Sequence, residues 1–169
     1  YHANKAKVRI DVARSAAKSL NHPFLLANQV GGNDDLLFDG RSIVAWPNGY
    51  VVIAPAWKEG ILVVDLEGPD KATWIGDGDL QIISPNETLE LSNDDLLDAV
   101  TTGLSDYCRK SGISKIVLGL SGGIDSALAA CVAAEAVGPS NVIGISMPSR
   151  HSSQHSIDDA KATAEALGI

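Results

Sequence analysis

Ser121-Gly-Gly-Ile-Asp-Ser126 is the stretch of this chain whose residue types and spacing can do chemistry. It comes after the apolar run Lys115-Ile-Val-Leu-Gly-Leu120 and precedes an alanine-rich helical pattern from Ala127 to Val137. Strand, tight turn and helix in that order leave the first N–H groups of the helix without internal partners, and the aligned peptide dipoles add partial positive charge there. An anion belongs above such a turn. The dipole contributes only about 0.3–1 kcal/mol, up to roughly 2 when partly buried, so a polyphosphate needs more. The hydroxyls of Ser121 and Ser126 and several converging amides supply it. Gly122 and Gly123 bring the backbone close to a ligand with no Cβ in the way. Asp125 repels a phosphate unless a cation stands between them, and Mg²⁺ bridging a carboxylate and phosphate oxygens answers that need. A plain Gly-Gly turn, with Asp125 as a capping charge on the helix, is the structural alternative.

The elements that must position this loop can be read from pattern. Ile116, Val117, Leu118 and Leu120 leave no polar face, which predicts a strand covered on both sides, as in a parallel sheet. The helix Asp125–Val137 carries Ala127, Leu128, Ala130, Cys131 and Ala134 for close packing on that sheet, and Gly138-Pro139 stops it. Asn141 to Ser146 is a second apolar strand. A polar loop begins at Met147, then a helix runs over about Ser156 to Leu167, burying Ile157, Ala160, Ala164 and Leu167. Upstream, Ser92 or Asn93 caps a helix with a buried stripe of Leu96, Leu97, Val100, Leu104, Tyr107 and Cys108. Helices alternating with strands mean parallel strands and crossover helices. The loop at Met147 then emerges beside the phosphate loop, at the carboxyl edge where open α/β sheets bind ligands, and suits adenine or ribose. Arg150 there is either a phosphate contact or a solvated arginine. His151 and His155 have the i, i+4 spacing of metal ligands, but a serine-rich loop with no third ligand nearby favours a surface role.

The first half reads differently. Val8, Val12, Ser15, Ala16 and Leu20 predict a helix over Asn4–Leu20. Phe24–Asn28 is a short strand before the flexible pair Gly31-Gly32. Asp39-Gly40, Asn48-Gly49 and Glu59-Gly60 then separate Ser42–Trp46, Tyr50–Ala54 and Ile61–Leu66, which predicts an antiparallel meander. Gly68-Pro69-Asp70 opens a polar, turn-rich region in which Leu80, Ile82 and Ile83 make one short strand. The domain boundary falls at 84–92, with Asp77, Asp79, Glu87 and Glu90 on a solvated surface.

With 169 residues and a formal net charge of −8, the chain lacks the basic stripe of a nucleic-acid groove. No apolar run reaches the roughly 20 residues of a membrane span. Cys108 and Cys131 make no disulfide framework, which points to a reduced, cytoplasmic setting; both are expected to be structural. The chain opens at Tyr1 without methionine and ends at Ile169, so a piece of a longer polypeptide is expected.

Neither G-x-x-x-x-G-K-[ST] nor G-x-G-x-x-G is present. The loop S-G-G-I-D-S instead resembles the pyrophosphate loop of the ATP pyrophosphatase superfamily. Taken with N-V-I-G-I-S-M-P-S-R-H-S-S-Q-H-S and D-A-K-x-x-A-x-x-L-G-I, it resembles the NAD synthetases. Residues Leu26 to Ser42 look like the later half of a nitrilase-type amidase domain, which narrows the resemblance to the glutamine-dependent family. It implies an α/β chain: the C-terminal part of a nitrilase-like α-β-β-α sandwich (1–83), a linker (84–92), and the start of a Rossmann-like parallel-sheet ATP-pyrophosphatase domain (93–169). It implies ATP-dependent amidation of deamido-NAD through an adenylated intermediate, with AMP and pyrophosphate released and ammonia drawn from glutamine. Gly119, Leu120, Ser121, Gly122, Gly123, Ile124, Asp125, Ser126 and Met147 then bind ATP, and Asp125 holds Mg²⁺. In a segment like Tyr1-His-Ala-Asn-Lys5, the terminal cation helps bind glutamine, so Lys5 takes that role by resemblance; an exposed lysine in a first helical turn is the other reading. The family's glutaminase Cys, Glu and Lys have no counterpart here, so no catalytic residue is assigned and the chain alone is expected to be inactive. A thin half-sandwich implies a partner surface, hence a homo-oligomeric parent. Other pyrophosphate-loop ligases, such as GMP synthetase or asparagine synthetase, and a non-catalytic ATP-binding module are the competing readings.

Overall fold

The computed structural model describes residues 2, 4–90, 94–148 and 153–169. The chain forms two compact units, residues 1–99 and 100–169.

The first unit opens with α1 (Lys5–Leu20), which ends where Asn21 takes a left-handed conformation (φ 52°) and donates to Ala17 O and Lys18 O. The buried stripe is Ala6, Ile10, Ala13 and Ala17, not the predicted one. Val8, Val12 and Leu20 are more than half exposed. The three alanines of this i, i+4, i+7, i+11 stripe let the helix lie close on a sheet around Ile10, and Val8, Val12 and Leu20 are left to the outer face. That sheet is antiparallel, in the order β1 (Phe24–Leu26), β4 (Ile43–Ala45), β5 (Val51–Ile53), β8 (Gln81–Ile83). Its one face packs Ile43, Ala45, Val51, Ile53 and Ile83 against α1, with Leu89 joining the same core. Its other face packs Val44, Trp46 and Val52 against Leu62, Val64 and Ala72 of a hairpin. Covered twice, β4 and β5 are buried at every position, each large side chain stabilising by about 1.5–3 kcal/mol.

The predicted meander is only partly present. Asn48-Gly49 does join paired strands: Val44 lies opposite Val52, and Gly49 has φ 91°. The other two signals punctuate without pairing their neighbours. Asp39-Gly40 ends β3 (Leu36–Asp39), which pairs instead with β2 (Val30–Asn33), so Gly31-Gly32 lies inside a strand. After Glu59, β6 (Gly60–Asp65) pairs with β7 (Gly68–Gly76). β7 occupies the stretch read as turn-rich connection. Its alternation is visible in hindsight, with Ala72 and Trp74 half-buried and Thr73 and Ile75 exposed, and Gly68, Pro69 and Gly76 masked it by sitting at its ends. Arg14 fastens α1 to the β4–β5 turn and to the segment just past β8, donating to the carbonyls of Gly49 (3.0 Å), Ser84 (2.7 Å) and Glu87 (3.0 Å).

An ionic knot lies under this surface. Asp39, 3% exposed, accepts from Arg9 (2.6 and 2.7 Å), Asn28 Nδ2 (3.0 Å) and Arg41 (3.2 Å). Removing one partner of a buried pair leaves the other charge uncompensated, at about 3–5 kcal/mol. Asp39→Ala is therefore expected to lower the unfolding free energy by about that much, read from urea titrations of both proteins; a change within ~0.5 kcal/mol would show that water compensates the arginines.

In the second unit, β9 (Ile116–Gly119) and β10 (Val142–Ile145) pair in parallel, Ile116 opposite Val142. They are joined by α3 (Ile124–Val137) and the 3₁₀ turn Pro139–Asn141, and α4 (Gln154–Leu167) comes next. Leu120, Ala130 and Ala160 form the core, with Leu118, Ala164, Leu167 and Ile169 packed on it. This is the predicted order, but among the described residues the strand is covered on one face only. Val117, Ile143 and Ile145 are 59%, 46% and 44% exposed, because both helices that pack here use the other face. α3 likewise buries Ala130, Ala133 and Ala134 while Leu128 and Cys131 stay exposed, so Cys131 is not the packed residue expected. In α2 (Asp94–Ser111) the apolar stripe is similarly open. Leu96, Leu97, Val100 and Tyr107 are exposed, Leu104 is half-buried and Cys108 is buried. The cap expected at Ser92 or Asn93 lies outside the described residues, as do Arg150 and His151. No helix among the described residues is long and apolar enough to cross a membrane.

Candidate functional site

The loop between β9 and α3 holds itself in shape. Leu120 N–H donates to Ile145 O (2.9 Å), continuing the parallel pairing one residue past β9. Ser121 N–H donates to Ser126 Oγ (3.2 Å), Gly123 N–H to Ser121 Oγ (3.2 Å), and Ser126 Oγ–H to Gly123 O (2.8 Å). The two hydroxyl oxygens lie 3.1 Å apart. Ser126 has already committed its one hydrogen to Gly123 O, so the hydroxyl hydrogen available for redirection is that of Ser121.

The start of α3 is open to an anion for a specific reason. Its N-cap is Gly123, extended at φ −90° and ψ 155°, with no side chain to cap the helix. A serine or aspartate there would satisfy one of the orphan amides and stabilise by typically ~1 kcal/mol. Glycine gives that up and leaves the first-turn amides of Ile124, Asp125 and Ser126 to a ligand. Asp125 sits exposed in this turn. Among the described residues no group of three or more His, Cys, Asp or Glu is placed to hold a metal. A single carboxylate beside an anion-receptive helix start has the chemistry for Mg²⁺, which keeps most of its waters and binds through one or two carboxylates plus phosphate oxygens.

Two features of the site were not legible. The first is the contact of the loop with α4. Gly122 has φ 79°, and a Cβ there would lie 2.1 Å from Ser156 O. Ser156 belongs to the first turn of α4, where its N–H donates to the N-cap Ser153 Oγ (3.1 Å). A Ser-x-x-Ser start is readable as a helix cap; its seat against Gly122 is tertiary. The second is the division of labour among the expected ATP residues. Leu120 is 5% exposed and its side chain belongs to the core, so only its backbone faces the loop. Ile124 is 81% and Met147 76% exposed. Met147 does come to the loop, its Cε 3.3 Å from where a Cβ on Gly119 would sit. Leu120, Ser121, Ser146, Met147, Ser156 and Ile157 line a cavity of about 100 Å³. His155, 85% exposed, has Nδ1 3.2 Å from Asp159 Oδ2, one turn on in α4.

In the first unit Lys5 is exposed at the start of α1. It lines a cavity of about 400 Å³ together with His2, Arg9, Asn28, Phe38 and Asp39. The sequence points to Lys5 alone; the acid and arginine behind it are 30 positions apart and meet only in the fold.

A self-bonded serine-glycine loop ahead of a glycine-capped helix, on a parallel pair of strands, makes an α/β unit whose helix start is open to an anion. It lies within residues 96–169, which match the family model of NAD synthase. The similarity extends over the whole chain. The glutamine-dependent NAD(+) synthetase of Rhodobacter capsulatus is 44% identical over 99% of this chain, and that of Synechocystis sp. 39% over 100%. The chain spans about 30% of the length of these relatives. It superposes over its full length, with a TM-score of 0.76 and 31% identity, on 31% of the glutamine-dependent NAD+ synthetase of Acinetobacter baumannii, determined in complex with ADP. The synthetase of Cytophaga hutchinsonii shares the fold (TM-score 0.68, 19% identity). The chain is thus similar, end to end, to about a third of a glutamine-dependent NAD(+) synthetase.

Proposed function

We propose that this chain is the part of a glutamine-dependent NAD(+) synthetase in which the glutaminase half passes into the ATP-binding half. Residues 1–83 are then the closing portion of a nitrilase-like domain, 84–92 the linker, and 93–169 the opening of a Rossmann-like ATP-pyrophosphatase domain. The reaction is amidation of deamido-NAD. ATP adenylates the nicotinic acid carboxylate, pyrophosphate leaves, and ammonia from glutamine displaces AMP. The observation that carries this reading is the glycine-capped start of α3 behind the Ser121–Ser126 loop, inside the stretch matching NAD synthase.

Gly119 to Ser126 cradle the departing phosphates: amides of the first turn receive charge, and the Ser121 hydroxyl turns from Ser126 to a phosphate oxygen. Such donors act at the moment charge develops and need no reorganisation, which is why positioning and electrostatics suffice without a covalent enzyme intermediate. Asp125 would hold Mg²⁺, which would supply positive charge opposite the leaving group. Met147 borders the nucleoside, and Lys5 takes the substrate carboxylate in the first-unit cavity. The parent is a cytoplasmic homo-oligomer.

The test is pyrophosphate release by the full-length protein with ATP, Mg²⁺ and ammonium, offered deamido-NAD, xanthosine monophosphate or aspartate in turn. Release is expected with deamido-NAD alone. Release confined to either of the others would replace this reading by another pyrophosphate-loop ligase, and ATP binding without release by a nucleotide sensor.

A further inference from the structure

The ionic knot around Asp39 continues past the cavity it borders. Arg41, whose Nη1 donates to Asp39, donates through Nη2 to Asp95 Oδ1 at 2.6 Å. Trp57 Nε1 donates to the same oxygen at 3.1 Å. Asp95 is 6% exposed and lies in the first turn of α2. Arg9, Asp39, Arg41 and Asp95 therefore form one line of alternating charge, all of it within the first unit. One end of the line lies in the wall of the Lys5 cavity; the other anchors a helix.

Two observations set this apart from ordinary stabilisation. Buried ion pairs are weak evidence for stability, since apolar replacements of the same volume commonly do as well. The backbone beside it is also unusual. Arg41 and Trp57 both hold left-handed conformations (φ 51° and 59°), interlocked by Trp57 N–H to Asp39 O (3.0 Å) and Arg41 N–H to Pro55 O (3.3 Å). Non-glycine residues are kept there only where the surroundings over-determine them, and such places cluster at switches and clamps.

We propose that Arg41 and Asp95 are positioning residues that tie the seat of the first turn of α2 to the occupancy of the Lys5 cavity. The inference rests on the reading of that cavity as a glutamine site. A carboxylate arriving at Lys5 competes for Arg9; Asp39 then leans on Arg41, and Arg41 loosens from Asp95. A change at one end of an alternating chain in a low-dielectric setting is carried to the other end pair by pair.

The experiment has two arms. In the first, Asp95→Asn in the full-length protein, its fold checked by circular dichroism, is assayed with ammonium and with glutamine, measuring NAD and glutamate. The ammonium-driven rate is expected to hold within about twofold while glutamine-driven NAD formation falls about tenfold and glutamate per NAD rises. A parallel fall with both nitrogen sources, or an unchanged glutamate-to-NAD ratio, overturns the relay. Arg41→Lys keeps the charge and is expected to restore part of the coupling that Arg41→Gln loses. The second arm needs no NAD formation, so it separates a failed relay from a failed assignment of the reaction. Amide hydrogen exchange across residues 94–99 is monitored with and without L-glutamine. Protection that changes on adding glutamine in the unaltered protein, and stays constant in Arg41→Gln, supports the relay; no change in the unaltered protein sinks it.

Discussion

Gly122→Ala is expected to slow pyrophosphate release on the order of 10²-fold while the protein stays folded. Two penalties meet at this position. The φ of 79° is left-handed, which costs an alanine roughly 1–2 kcal/mol. The added Cβ would also stand 2.1 Å from Ser156 O and 2.8 Å from Ser156 C. Backbone cannot rotate aside as a flexible side chain does, so either the loop or the first turn of α4 must shift. A misplacement of about 1 Å at a site that works by positioning costs on the order of 10²-fold in rate. The loss should therefore exceed what the modest drop in stability explains. Gly112→Ala is the control that separates the two penalties. Gly112 has φ 69° but nothing within 4 Å of its Cβ position, so alanine there suffers the strain without the collision. It is expected to lose roughly 1–2 kcal/mol of stability and to keep its pyrophosphate release. Equal activity losses in the two variants would show that strain alone sets the effect and that the loop does not depend on α4.

The contrast between those glycines shows what was legible beforehand. Strand, diglycine turn and helix could be read from Lys115 to Val137 because three local signals agree there: an apolar run, turn chemistry and helical periodicity. The same agreement placed α4 and the parallel pairing of β9 with β10. What failed was anything decided by a distant partner. Ala6, Ile10, Ala13 and Ala17 face the sheet rather than the stripe of Val8, Val12 and Leu20, since close approach favours alanine and only the fold reveals where approach is close. The pairing of β5 with β8 across 27 intervening residues skips a whole hairpin, which turn dipeptides cannot announce. At the loop, residue types give an expectation of phosphate, but the seat of Gly122 on Ser156, and in the first unit the chain from Arg9 to Asp95, join positions 34 and 86 apart. Side chains that meet across such separations leave no periodicity in a single sequence.

Asp125→Asn removes one charge at nearly constant shape, and its expected effect is a loss of turnover with the fold intact. An acid in the first turn of a helix stabilises by about 0.3–1 kcal/mol through the dipole, so stability should fall by no more than that. Were this all Asp125 does, asparagine would be nearly silent in activity. The proposed role is different: its carboxylate stands at the opening of α3, where phosphate charge would otherwise face an uncompensated acid. On that proposal, removing the anion would take away the hold on Mg²⁺, and with it the charge that would stabilise the departing pyrophosphate. Losses on removing one such electrostatic group run to about 10²–10³-fold in kcat. The signature is a fall in kcat at saturating deamido-NAD together with a magnesium requirement shifted to higher concentration. Asp125→Glu, which keeps the charge but carries it one methylene further, should fall between the two. Magnesium-dependent turnover that survives undiminished in Asp125→Asn would return this residue to the role of a helix-capping charge, and the metal would have to be held by the nucleotide alone.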